Sequence, residues 1–160
     1  MGQTQPSIHA RKAIDMKSVN PYLNFPGTTE EAFDFYRSVF GGEFQAVIRF
    51  RDFGDNGMGA PEQDLDKLAH IALPIGTGLL MGTDVLESWH RPLTVGNNYY
   101  ISLEPETGDE ADRLFSALSA GGETEMPLQP TEWAEKYGSC TDRFGVQWMV
   151  SYTGNVQFPA

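Results

Sequence analysis

Three histidines and one cysteine supply all the imidazole and thiol chemistry in this chain of 160 residues. His9 belongs to a polar N-terminal stretch, which leaves His70 and His90. His70 stands in KLAHIALP, on the strand face shared by Leu68 and Ala72. An imidazole with an unperturbed pKa near ~6.5 can serve there as a general base or as a ligand contact. The competing reading is structural, a half-buried ring whose nitrogens are satisfied locally. No pair of residues has the spacing of a zinc or iron site, and no metal and no cofactor are expected. Cys140 has only Arg143 nearby as a cation, so it reads as a buried structural thiol rather than an activated nucleophile. Asp55, Glu62, Asp64 and Asp66 make the 51–66 loop acidic, without the register of a calcium loop. A solvated face is the simpler account of them.

The elements that position these residues emerge when the chain is compared with itself. NPYLNF at 20–25 lines up with NYYISL at 98–103, two short runs with strand-like alternation. A helix signal follows each: TTEEAFDFYRSVFGGE at 28–43 and TGDEADRLFSALSAGGE at 107–123. Both open on Thr and acidic residues, which suit the positive end of a helix dipole, and both close on Gly-Gly. Ala32, Phe35, Tyr36 and Val39 fall at helical spacing, as do Ala111, Leu114, Phe115 and Leu118. Period-two runs then return at 43–50, 67–74 and 78–83, and again at 123–128, 137–142 and 146–152. The order β-α-β-β-β therefore occurs twice. It predicts an α+β fold with a tail at 1–17, a first module at 18–84, a linker at 85–96, a second module at 97–154 and a short tail at 155–160.

Composition narrows the partners. Eleven Lys and Arg against 22 Asp and Glu give a formal net charge of −11. Nucleic-acid affinity comes mainly from cations that displace phosphate counterions, so no nucleic-acid partner is expected. No run approaches the ~18 apolar residues of a membrane span, and the N-terminal stretch has no apolar signal-peptide region. No membrane partner is expected either. One cysteine permits no internal disulfide and fits a reducing, cytoplasmic setting.

Four segments together, PYLNFPGTTEEAFDFYRSVFGGE, KLAHIALPIGTGLLMGTD, ISLEPETGDEADRLFSALSAGGE and DRFGVQWMVSY, resemble the vicinal oxygen chelate (glyoxalase/bleomycin-resistance) superfamily in its PhnB-like branch. The resemblance spans 19–152 and rests on several segments in order. It implies two βαβββ modules edge to edge, forming curled mixed sheets around a cleft. Members include glyoxalases, dioxygenases, epimerases, fosfomycin-modifying enzymes and metal-free drug-binding proteins. Some PhnB-like sequences carry a methyltransferase label, but this sequence has no glycine-rich nucleotide loop after its first strand.

The resemblance also says where a metal would sit. Its first-strand ligand positions fall on Asn20 and Asn98, and its fourth-strand positions close to Met81 and Met149. Asn is a weak ligand and a thioether does not suit hard or borderline divalent ions. Strand parity then gives the lining. With Leu23 and Phe25 under the first helix, Asn20, Tyr22 and Asn24 face the cleft, as do Asn98, Tyr100 and Ser102 in the second module. On the last strand Val146, Trp148 and Val150 pack inward, while Gln147, Met149 and Ser151 face the cleft. Trp133 lies where PhnB-like sequences often carry Trp followed by Gly, although Ala134 follows here; it caps the cleft or anchors its loop. The predicted site comprises His70 as the catalytic candidate and Tyr22, Asn24, Tyr100, Trp133 and Met149 as ligand-binding residues. The 51–66 loop borders its mouth. The expected function is binding of a small organic molecule, with a metal-dependent glyoxalase-, lyase- or isomerase-type enzyme as the alternative. A homodimer is expected because sheet edges and an apolar helix face seek cover.

Overall fold

The computed structural model describes residues 10–157. His9 and residues 158–160 lie outside them. The first sheet comprises β1 (Tyr22–Phe25), β2 (Ala46–Arg49), β3 (Leu68–Ile75) and β4 (Gly78–Asp84), with α1 (Thr29–Phe40) between β1 and β2. The second comprises β5 (Ile101–Leu103), β6 (Glu123–Gln129), β7 (Lys136–Thr141) and β8 (Gln147–Tyr152), with α2 (Gly108–Ser119) after β5. Strand orders are β1-β4-β3-β2 and β5-β8-β7-β6. β1 runs parallel to β4 and β5 to β8, and every other pairing is antiparallel. The repeated α+β architecture expected from the sequence is the one observed. Among the described residues no helix is long and apolar enough to cross a membrane.

Side-chain burial explains why the two helices form where they do. On α1, Ala32, Phe33, Tyr36 and Val39 are buried, and on α2 Ala111, Leu114 and Leu118. Burying one such large side chain contributes about 1.5–3 kcal/mol, more than the ~0.7 kcal/mol span of intrinsic helix propensity among residues other than Gly and Pro. The alternate residues of β1 and β8, Leu23 and Phe25 with Trp148 and Val150, meet these helices in one shared core. Aromatic contacts close it across the modules: Tyr36 lies 5.5 Å from Trp148 and Phe25 6.4 Å from Phe144. At Gly82 of β4 a Cβ would stand 2.7 Å from the Phe33 ring and 3.2 Å from the Leu23 carbonyl. The close seating of α1 on this sheet therefore requires glycine there.

Two buried carboxylates fix this arrangement. Asp84, at the end of β4, accepts from Thr29 N at 3.1 Å, Thr29 Oγ1 at 2.6 Å and Leu68 N at 2.8 Å. Thr28, the cap residue of α1, makes no side-chain cap, so Asp84 takes over that role from another strand. Asp142, in the β7–β8 turn, accepts from Tyr36 Oη at 2.7 Å, Trp148 Nε1 at 2.8 Å, Phe144 N at 2.8 Å and Val146 N at 3.0 Å. Tyr36 comes from the first module and the other three donors from the second. Burial, then the Asp142 charge, drives the Tyr36 hydroxyl far above its ordinary pKa, so it stays a donor.

The structure corrects three expectations. β1 starts at Tyr22 rather than residue 20 because Pro21 has no N–H for the ladder and the Asn20 side chain accepts from Leu79 N at 2.9 Å. Asn20 is thus a tie between β1 and β4, not a cleft residue. Gln147 is also a tie: it is buried and donates from Nε2 to the Tyr99 carbonyl at 2.8 Å, standing in for a ladder bond ahead of β5. The 51–66 segment exposes Asp55, Glu62 and Asp66 as expected but buries Asp64. It folds into short 3-10 turns in which Asp64 is buried beside Lys67, while Arg51 pairs with Asp66.

Cys140 is fully buried on β7, and burial, assisted by Asp142, pushes its thiol up to about 11. At pH 8 it is therefore protonated and inaccessible. A disulfide-exchange reagent is expected to leave the native thiol untouched over hours and to label it at once in denaturant. Stoichiometric native labelling within minutes would show that β7 is not packed as described.

Candidate functional site

The sheet faces turned away from the helices carry two groups of reactive side chains. On the first sheet, Tyr22 of β1 is in register with Met81 of β4, which is in register with Ala72 of β3. His70 lies two residues before Ala72, and the Tyr22 ring is long enough to reach it. The Tyr22 hydroxyl is 2.9 Å from His70 Nδ1, and the two rings stack at 5.6 Å with 28° between their planes. Tyr22 is 43% exposed and His70 half-buried, so both remain accessible. Burial raises the Tyr22 pKa, which keeps the hydroxyl protonated at neutral pH. The couple therefore has two neutral forms. If Tyr22 donates to Nδ1, Nε2–H is left as a donor to a ligand. If Nδ1–H donates to Tyr22, the hydroxyl becomes the outward donor and Nε2 the acceptor. Asn24, also exposed, is in register with Thr83 on the same sheet.

On the second sheet, Tyr100 precedes β5 and its hydroxyl donates to both Glu125 oxygens, at 2.6 and 2.5 Å. Glu125 sits at a register shift between Thr124 and Met126 on β6. Its carboxylate raises the Tyr100 pKa. Met149 of β8 is in register with both Ser102 and Ser139. Its sulfur accepts from the Tyr137 hydroxyl at 3.3 Å, and Trp133 meets the Tyr137 ring edge-on at 5.2 Å and 78°.

The structure thus brings Tyr22 to His70 on one sheet and joins Trp133 and Met149 through Tyr137 on the other, with Tyr100 two residues before Ser102, the register neighbour of Met149. Among the described residues no hydrogen bond or ring contact joins the two groups. Between β1 and β5 runs a groove of about 350 Å³ that Tyr22, Asn24, Leu93, Val95, Tyr99 and Phe144 help to line. His70, Tyr100, Trp133 and Met149 lie off it. Two residues of the second group, Tyr137 and Glu125, were not singled out in the sequence. Tyr137 could have been found by applying to β7 the parity used on β8, whereas the irregular register that places Glu125 has no sequence mark.

Residues 18–150 match the model of the Glyoxalase/Bleomycin resistance protein/Dioxygenase superfamily. The chain belongs to that superfamily. Protein YjdN of Escherichia coli (strain K12) is 30% identical over 143 residues, covering 83% of this chain and 93% of YjdN. The crystal structure of protein PA1353 from Pseudomonas aeruginosa is 39% identical with a TM-score of 0.75, covering 84% of this chain and 96% of that one. A PhnB protein from Bacillus cereus, described as a putative 3-demethylubiquinone-9 3-methyltransferase, is 25% identical with a TM-score of 0.68, covering 85% and 99%.

Many superfamily folds hold a divalent ion, and the residues here do not fit one. The carbonyl oxygen of the Asn20 side chain is committed to Leu79 N, and the Met149 sulfur to Tyr137. In register with Met81 and Met149 stand Tyr22 and Ser102, not carboxylates or imidazoles. A Tyr22 hydroxyl with a raised pKa is a poor source of phenolate. Among the described residues no three His, Cys, Asp or Glu side chains come together as a ligand set.

Proposed function

We propose that this chain binds a small organic molecule through the sheet faces opposite its helices, in the cleft between its modules, with no metal in the contact. The observation that carries the reading is the Tyr22–His70 couple. An exposed hydroxyl and imidazole locked at 2.9 Å offer a ligand one donor and one acceptor on an otherwise apolar strand face. The aromatic and thioether group of the second sheet supplies a second wall. A homodimer is part of the proposal, since open sheet edges seek cover. The single buried cysteine and the charge of −11 support a reducing cytosol and no nucleic-acid partner.

A second reading has the couple moving a proton as well as binding. Exchange between its two neutral forms passes a proton from one side of a bound group to the other, which suits isomerisation next to a carbonyl. The Bacillus protein's methyltransferase description is not carried over. Here β1 is followed by Pro26, Gly27 and Thr28 and then by α1, without a nucleotide-binding glycine loop.

The test is a small-molecule screen by thermal shift on wild type, His70→Ala and Tyr100→Phe. Hits are expected to stabilise the wild type and to lose at least about half of that shift in one variant or both. Hits that stabilise all three proteins equally would place binding elsewhere.

A further inference from the structure

Among the described residues the second sheet's face combines aromatic rings and a carboxylate with no cation. Trp133 and Tyr137 stand as near-perpendicular walls, with ring planes at 78° and centroids 5.2 Å apart. The Met149 sulfur lies against Tyr137, and the Tyr100 hydroxyl bridges the Glu125 oxygens. Trp133 is 39% and Tyr100 36% exposed, and Glu125 is exposed, so the group is open to solvent. Trp and Tyr present an apolar ring with a polar tip, which suits a surface that contacts a ligand.

Each Lys and Arg of the second module is engaged away from the group. Lys136 donates to Asp112 and to the Gly108 carbonyl on α2. Arg143 donates to the Ala120 carbonyl and lies over the Phe35 ring, and Arg113 pairs with Glu110 and donates to the Val39 carbonyl. A phosphonate, phosphate or carboxylate would therefore meet Glu125 with nothing to balance it. A positive ligand would meet ring faces, a polarisable sulfur and a carboxylate, and the net charge of −11 would draw it in.

We infer that Tyr100, Trp133, Tyr137 and Met149, with Glu125 as counter-charge, form a recognition site for an organic cation, a quaternary or protonated amine. The inference rests on the proposed binding role of the second sheet's face and adds the charge of the molecule bound. The Glu125 carboxylate raises the Tyr100 pKa, so the hydroxyl stays protonated and keeps that carboxylate in place.

The experiment compares three probes of one shape: choline, 3,3-dimethylbutan-1-ol, in which carbon replaces the charged nitrogen, and 3,3-dimethylbutanoate. Binding to the full chain is followed by NMR through the indole N–H resonance that Trp133→Leu removes. Choline is expected to bind at least about tenfold more tightly than the alcohol, and the acid not at all. Glu125→Gln, a change at an exposed side chain, should weaken choline about fivefold or more and leave the alcohol unaffected. Equal binding of choline and the alcohol, or choline binding indifferent to Glu125→Gln, would overturn the inference. So would the absence of any choline-induced shift. If both neutral and charged probes bind equally and both are lost in Trp133→Leu, the sheet face still binds ligands and only the charge preference falls. Failure of the broader reading shows separately, in thermal-shift hits that ignore His70 and Tyr100.

Discussion

Replacing Asp142 with alanine is expected to destabilise the protein by about 3–5 kcal/mol, because two buried side-chain donors are left unsatisfied at about 1–3 kcal/mol each. The carboxylate serves four donors at 2.7–3.0 Å, and two of them, Tyr36 Oη and Trp148 Nε1, are side chains buried in the shared core. Alanine strands both where water has little room to replace the lost bonds. It also releases the β7–β8 turn, whose backbone N–H groups at Phe144 and Val146 close on the same carboxylate. Tyr36→Phe, which removes one donor and leaves the carboxylate three, should cost only about 1–2 kcal/mol. Equilibrium urea unfolding of both variants measures the contrast. If Asp142→Ala costs no more than Tyr36→Phe, the carboxylate is not what pins α1 to the second module.

Asp84→Ala should cost about 2–4 kcal/mol for a related reason. Three donors depend on Asp84: two from Thr29 at the start of α1 and the Leu68 N–H at the start of β3. Among the described residues no other side chain caps α1, since Thr28 makes no capping bond. Thr29→Val removes one of the same three bonds at nearly constant volume. The double variant should therefore be less destabilised than the sum of the two singles by about 1 kcal/mol. Strict additivity would mean that the helix start is held by something other than Asp84.

The internal repeat was readable in the sequence because the two modules keep the same order of periodicities, a 3.6-residue stripe between period-two runs. Parity then put Leu23, Phe25, Trp148 and Val150 in the core and Tyr22 and Asn24 on the open face, where the structure has them. Parity failed where a side chain replaces a backbone bond. Asn20 and Gln147 have the pattern of cleft residues, but each supplies a hydrogen bond where its strand pairing runs out. Register was the other blind spot. A parallel pairing between strands far apart in sequence fixes Tyr22 opposite Met81 and Ser102 opposite Met149, and no local signal encodes it. The Tyr22–His70 bond depends on that register, across 48 positions of sequence, so the sequence could nominate both residues but not their meeting.

Metal-free ligand binding is tested most directly by calorimetric titration of the strongest thermal-shift hit into the full chain. One titration follows dialysis against EDTA, and a second follows addition of excess manganese or zinc. With ligand held by Tyr22, His70 and the aromatic wall of the second sheet, the dissociation constant should agree within about twofold between the two conditions. Binding that disappears with the chelator and returns with the metal would mean that the donors around Met81 and Met149 are completed by residues assigned here to other roles, and that the site is a metal centre after all.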